Sequence, residues 1–196
     1  MAKIKTGLLF EAGVHLGHEK SRWHPSMSEF VLGGLGDVHY LDVRKTILMF
    51  KRALRRVGEI VIKGKPILFV CSNPKFIQFV RKELEGTGIL FVCNRWLGGT
   101  LTNFPLKKRG GCQANGSLRQ MPGALFLVGV EKNQLAVKEA RRVNIPIFAV
   151  ADSNDPVSAV EIPIPGNDDS ILALQTYMRI LVSYFKKLQY KREGRT

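Results

Sequence analysis

Four short apolar runs divide the chain from Gly64 onward: Ile67 to Cys71, Ile89 to Val92, Ala124 to Val128 and Ile145 to Val150, each bounded by Gly, Pro or Asn. Their length suits strands. Between them lie Lys75 to Leu84 and Gln134 to Val143, where apolar residues recur three and four apart and charges take the opposite side, which is the period of an amphipathic helix. A repeated strand, helix, strand order forces parallel pairing, because a helical crossover returns the chain to the same edge of the sheet, almost always with a right-handed turn. The expected fold class is therefore α/β: a three-layer parallel sheet with helices on both faces.

The flanks extend this pattern. A strand at Val38 to Leu41 leads into Asp42 as a helix N-cap, and Val43 to Ile62 reads as a long amphipathic helix whose exposed side carries Lys51, Arg52, Arg55 and Arg56. A last helix is expected over Ser170 to Tyr190, with Asp168 and Asp169 near its start and Lys186, Lys187, Lys191, Arg192 and Arg195 at its finish, signs that suit the helix dipole. Two stretches stand outside the alternation. Up to Gly36 the chain reads as a short helix at Thr6 to Ala12, a loop rich in Gly and His, and then Arg22, Trp23 and His24. Pro105 to Met121 holds Lys107, Lys108, Arg109 and Arg119 among several glycines and no acid. The expected organisation is an N-terminal contact region over 1–37, one α/β domain over 38–190 with a basic loop at 105–121, and a basic tail over 191–196.

Charge narrows the partners. With 30 Lys and Arg against 16 Asp and Glu the chain carries +14, and displacement of counterions from phosphates rewards every cation that docks on nucleic acid. An anionic membrane is a weaker fit, because the opening MAKIKT lacks the Gly that myristoylation needs and the longest apolar runs are of strand length. The first residues show neither an apolar signal core nor a long presequence rich in Arg and Ser; either the protein is made where it works or a presequence is missing from this chain. Cys71, Cys93 and Cys112 form no CxxC pair and read as small buried hydrophobes of a reducing compartment.

The motifs of catalysis on such a fold are missing. After Ile67 to Cys71 come Ser72, Asn73, Pro74 and Lys75 with no dinucleotide glycines, while Gly33, Gly34 and Gly36 precede a strand instead of following one. The glycines Gly58 and Gly64 do not have P-loop spacing, and neither GxSxG nor HExxH occurs. No small-molecule substrate is expected.

Binding motifs are present. Asn94 to Asn103, NRWLGGTLTN, follows a strand at its carboxyl end. Arg95 and Trp96 there offer a guanidinium and a stacking plane, and Gly98 and Gly99 allow close approach to phosphates; alternatively Trp96 fills core and the glycines make a turn. Arg22, Trp23 and His24 offer charge and two rings to unpaired bases, or Trp23 simply anchors the segment. In Ala12 to His18, AGVHLGH, two histidines stand three apart, and Asp152, Asp168 and Asp169 lie near later strand ends. Such a mixed set suits zinc or magnesium, and surface acids beside a packed histidine are the other reading.

Four segments in register carry a resemblance: AGVHLGH from Ala12 to His18 followed by Arg22, Trp23, His24 and Pro25; NRWLGGTLTN from Asn94; PIFAVADSND from Pro146 to Asp155; and PGNDD from Pro165 to Asp169. From about Thr6 to Lys186 the chain resembles the ribosomal protein S2 family of the bacterial type. The resemblance implies a flavodoxin-like, Rossmann-related sheet serving as an RNA-binding scaffold of the small subunit. Its implied partners are small-subunit ribosomal RNA and neighbouring ribosomal proteins, with no enzymatic activity and no required cofactor. Some bacterial members hold zinc with groups that fall here on His18, Asp152, Asp168 and Asp169. Bacterial members also insert a long helical hairpin where this chain has only Pro105 to Met121, so contacts made by that hairpin do not transfer. The same loss in organellar members, together with the charge, points to a mitochondrial ribosome, with a bacterial cytoplasm or a plastid as alternatives.

Overall fold

The computed structural model describes residues 4–104 and 120–192. Five strands form a wholly parallel sheet: β4 (Ile67–Val70), β5 (Leu90–Val92), β6 (Ala124–Val128), β7 (Ile147–Ala151) and β8 (Ile162–Pro165), in the order β5-β4-β6-β7-β8. That order is the flavodoxin-like winding, in which the chain moves to one edge and then reverses past its first strand. Alternate residues of each strand feed two cores. Phe69, Phe126, Phe148 and Val150 pack under α2 (Val43–Ile62), α3 (Ile77–Leu84) and α5 (Ile171–Arg192), with Phe50 of α2 tilted onto Phe126 at 6.0 Å. Leu68, Leu125, Leu127, Ile147 and Ala149 face α4 (Gln134–Arg142) on the other side. The expected three layers and helices on both faces are present.

Asp42 caps α2 as its position predicts, accepting the Arg44 N–H at 2.9 Å. Strand β8 has no counterpart in the sequence reading. Its segment IPIP carries Pro163 and Pro165, which normally argue against a strand, but β8 is an edge strand and pairs with β7 on one side only, where missing N–H donors cost little.

The N-terminal region is more ordered than a helix and a loop. After α1 (Thr6–Glu11), strands β1 (Leu16–Glu19), β2 (Val31–Leu35) and β3 (Val38–Leu41) make a separate antiparallel sheet in the order β1-β3-β2. Val38–Leu41 therefore belongs with the N-terminal module, and the boundary expected at residue 38 moves to the start of α2. The hairpin between β2 and β3 turns on Gly36 and Asp37, with Gly36 at φ +61°, a conformation cheap only for glycine. The module docks on the main sheet: the His24 N–H donates to Ser153 O at 2.9 Å and the Asn167 N–H to Val14 O at 3.1 Å, while Met27 and Phe30 enter the α4-side core. No helix among the described residues is long and apolar enough to cross a membrane.

Candidate metal centre and nucleic-acid interface

The carboxyl ends of β6, β7 and β8 bring four distant residues together. Asp152 directly follows β7, Asp168 and Asp169 lie between β8 and α5, and His18 arrives on β1. Asp152 and Asp168 are buried. The His18 Nδ1 stands 3.0 Å from Asp152 Oδ2 and its Nε2 3.2 Å from Asp169 Oδ2. A fifth group, missed in the sequence, completes the cluster: Lys132 Nζ donates to Asp168 Oδ2 at 2.9 Å and to Asp169 Oδ1 at 2.6 Å. Its signal was its place, just beyond β6 at the same edge of the sheet as the acids.

Burial alone would push these charges toward neutrality, and neighbours decide the outcome. The contact with Asp152 holds the His18 imidazole above its ordinary value. Burial drives the Asp168 carboxyl upward despite the nearby Lys132. Burial also works against the Asp169 carboxylate, but the ammonium of Lys132 and the ring of His18 overcome it and hold it below the usual range. Neighbouring Asp155, whose oxygens accept the Glu131 N–H at 2.6 Å and the Asp152 N–H at 2.9 Å, is pushed by burial up to about 6.

The cluster is not self-sufficient. His18 Nδ1, Asp152 Oδ2 and Asp168 Oδ1 are buried without a hydrogen-bond partner. The first two face each other at 3.0 Å, within ion-pair range when the ring is protonated, and neither atom has any further partner. One ligand atom from each of His18, Asp152 and Asp168 lies within 4.8 Å of the others. An imidazole nitrogen and two carboxylate oxygens, left over at one point, fit a divalent cation. Asp169 is half exposed and sits against the other ring nitrogen, the place of a carboxylate that orients a metal-binding histidine. Of the four residues expected as ligands, His18, Asp152 and Asp168 bring one ligand atom each to a common point, and Asp169 stands beside them against His18 Nε2.

The NRWLGGTLTN segment has a different use. Glu139, on α4, accepts hydrogen bonds from Trp96 Nε1 at 3.1 Å, Gly99 N at 2.7 Å, Leu101 N at 2.9 Å and Thr102 N at 3.4 Å. The segment is thus wound about one carboxylate. Burial raises the Glu139 pKa, but the donors of Leu101, Trp96, Gly99 and Thr102 outweigh it and the group lies below its ordinary value. Trp96 is only 4% exposed, which corrects the expectation that it offers a stacking plane; its indole is core, and its one polar atom is spent. Arg95 is exposed. Glu139 was missed in the sequence; its signal was an acid on the apolar side of α4, three residues after Ala136 and one before Ala140.

The remaining candidates for nucleic acid divide by exposure. Arg22 and Trp23 are exposed, with the Trp23 ring 6.0 Å from that of His39. His24 is half-buried, and its Nδ1 accepts the Ser26 N–H at 3.2 Å, so its ring caps a turn. Arg52 and Arg55 are exposed on α2 and Lys51 is half-buried. Arg56 is also exposed but paired, at 2.8 Å to Glu59 and 3.5 Å to Glu161. Lys186 and Lys187 are exposed on α5, and Lys191 and Arg192 close that helix. Lys107, Lys108, Arg109 and Arg195 lie outside the described residues.

Comparison with known proteins adds one family. The model of ribosomal protein S2 matches in two segments, residues 9–110 and 106–187, which meet in the basic stretch after Phe104. The chain is 32% identical to small ribosomal subunit protein uS2 of Treponema pallidum (strain Nichols) over 219 positions, covering 93% of this chain and 75% of that protein. It is 34% identical to uS2 of Koribacter versatilis, with 90% and 71% covered, and 34% identical to uS2 of Granulibacter bethesdensis, with 89% and 81% covered. The 219 matched positions exceed the chain's 196 residues, so the Treponema protein carries residues this chain lacks within the matched span.

Proposed function

The chain belongs to the ribosomal protein S2 family, and from that premise we infer how it serves the small ribosomal subunit. It is a structural part of that subunit and not an enzyme. Its partners are small-subunit ribosomal RNA and neighbouring ribosomal proteins, and the observation that carries RNA contact is the set of exposed cations on α2 and α5: Arg52, Arg55, Lys186 and Lys187. On a chain of +14 they suit phosphates presented along a surface. Arg22, Trp23 and Arg95 add exposed contacts. The test is sedimentation: tagged chain is expected to stay with the small subunit through a gradient, and a chain that runs only in the light fractions overturns the reading.

The cluster at the carboxyl edge is a zinc site in this reading. His18, Asp152 and Asp168 would hold the ion, since one imidazole and two carboxylates suit zinc better than magnesium, which prefers oxygen alone. When bound, an ion there would supply positive charge between the His18 strand of the N-terminal module and the carboxylates of the sheet domain. Asp169 orients His18, and Lys132 offsets the carboxylate charge that remains.

The ribosome in question is a mitochondrial one. What supports this is the break of the family match within 106–110 and the charge of +14, together with the loss of the hairpin in organellar members. Cofractionation of the native protein with mitochondrial ribosomes tests it; recovery with plastid or bacterial particles overturns it.

A further inference from the structure

Strands β4 and β6 are neighbours, yet the chain leaves β4 for α3 on one face and leaves β6 for α4 on the other. The sheet reverses between them, and such a reversal opens a crevice at the strands' carboxyl ends. Here it forms a cleft of about 440 Å³ bounded by the segments that follow β4, β5 and β6. Ligand pockets run from roughly 300 to 1,000 Å³, so the space suits one small unit and not a duplex.

Its chemistry is divided. The polar floor is fixed in advance: Asn133, 1% exposed, donates through Nδ2 to Val128 O at 2.9 Å and Gly129 O at 2.7 Å, and accepts the Ser72 hydroxyl at 2.6 Å. Apolar walls come from Pro74 and Ile77 on one side and Leu135 on the other, with Trp96 held in place by Glu139. Among the charged groups of the lining, Lys132 is drawn to Asp168 and Asp169, and the Glu131 carboxylate accepts from Asn154 at 2.8 Å. Arg95 is exposed and pairs with no described acid.

We propose that this cleft takes one unpaired nucleotide of a single-stranded RNA segment, its base between Leu135 and the Pro74 and Ile77 wall and its phosphate at Arg95. The inference rests on the RNA reading above and gives it a specific contact. A base has apolar faces, which match the apolar walls, while the floor, already paired within the fold, holds the shape of the cleft, and unpaired bases are what single-stranded regions present to proteins. Among the described residues of the lining, Arg95 is the cation without an acid partner, and it matches a single phosphate.

The test titrates the isotope-labelled full chain with single-stranded RNA hexamers, a duplex of the same length, and nucleoside monophosphates, following amide resonances. A hexamer is expected to shift Ser72, Arg95 and Lys132 to Leu135 saturably, with the duplex leaving them in place. Arg95→Glu and Leu135→Glu both alter exposed side chains and are expected to weaken hexamer binding at least tenfold, whereas Arg81→Ala with Lys82→Ala, exposed on α3, leaves the cleft shifts intact. Silent cleft resonances overturn the proposal, as do equal shifts with the duplex or a response to monophosphates alone. Failure here is separable from failure of the RNA reading, because binding of small-subunit ribosomal RNA through α2 and its salt dependence are measured in the same samples.

Discussion

The segment 94–104 and the N-terminal turn 15–24 look alike as sequences, since each sets an Arg and a Trp among glycine and hydrogen-bonding side chains. Folded, they are opposites. In the first, backbone donors and the indole converge on Glu139 and Trp96 is buried. In the second, Trp23 is 38% exposed, Arg22 is free of the core, and the His18 Nδ1 is buried without a hydrogen bond, facing only the Asp152 carboxylate. What separates scaffold from contact surface is not residue type but whether the polar groups are already paired by the fold, because a satisfied buried group has nothing left to offer a ligand.

The largest test of this contrast is removal of Glu139. Hydrogen bonds to a charged acceptor are worth about 1.5–3 kcal/mol each and do not add fully, so Glu139→Ala, which strands several buried donors, is expected to cost about 4 kcal/mol in urea unfolding, and Glu139→Gln about half as much. Trp96 fluorescence should shift to the red in both. The acid dependence follows from the direction of the Glu139 pKa. It is depressed in the fold, so its stabilisation is fully present above the ordinary glutamate value of about 4.3 and is lost as pH falls through the lower folded value. The Gln variant should lack that part of the acid slope. A Glu139→Ala chain as stable as wild type would break the contrast from the scaffold side.

The cluster tests the other side. If its three unpaired atoms take zinc, the ion should stabilise the fold by about 2.7 kcal/mol at a hundredfold excess over its dissociation constant, read as a rise in melting temperature. Asp152→Asn and Asp168→Asn should abolish the rise. Lys132→Met should enlarge it, because the ion must then offset the carboxylates alone. A melting temperature indifferent to zinc in all four proteins would mean that the leftover atoms are satisfied by water.

These two regions also mark how far the sequence could be read. Four strands of the parallel sheet were legible because their runs are of strand length, apolar and regularly punctuated, so that length and period agreed. The N-terminal sheet was not: β1 is half polar, and β2 contains Gly33 and Gly34, so neither shows alternation, although Gly36 and Asp37 between two short runs was a hairpin signal. Strand β8 was hidden by its two prolines. At the site, residue type and position near strand ends offered the acids with His15 and His18 as an open set, and only the resemblance narrowed it to His18, Asp152, Asp168 and Asp169, since no spacing rule links residue 18 to residues 152 and 168. Lys132 and Glu139 were missed for the same physical reason: each looks like an ordinary surface charge until the fold brings its partners, and Glu139 differs only in standing on the apolar side of α4.

Next in size is the basic surface of α2. Arg52→Ala with Arg55→Ala should lower the slope of log affinity against log salt by about 0.7 to 0.9 for each phosphate left without its cation, as read by filter binding with ribosomal RNA. Adding Arg56→Ala should change it less, because Arg56 is shared with Glu59 and Glu161. An unchanged slope would assign these cations to solubility.

Trp23 gives the smallest effect and the sharpest comparison, because it is the exposed counterpart of Trp96. Its ring lies tilted against His39 at 6.0 Å, so one side is partly covered and the rest is open. An exposed position away from caps and cores tolerates substitution within about 0.5 kcal/mol, so Trp23→Ala should leave the melting temperature nearly where it was. Stacking of a base on an aromatic ring is worth about 1–3 kcal/mol, and a ring with one side partly covered should give the lower end, a loss of about fivefold to tenfold in affinity for single-stranded RNA. Trp96→Ala should behave in reverse, unfolding the 94–104 segment from Glu139 at a cost of about 3–5 kcal/mol, with RNA binding per folded molecule changed only as far as the neighbouring cleft is disturbed. The two variants, measured side by side by thermal melts and RNA titration, separate the roles. Should Trp23→Ala lower the melting temperature by several degrees and leave RNA affinity intact, Trp23 is an anchor like Trp96, and the contrast holds for the metal cluster alone.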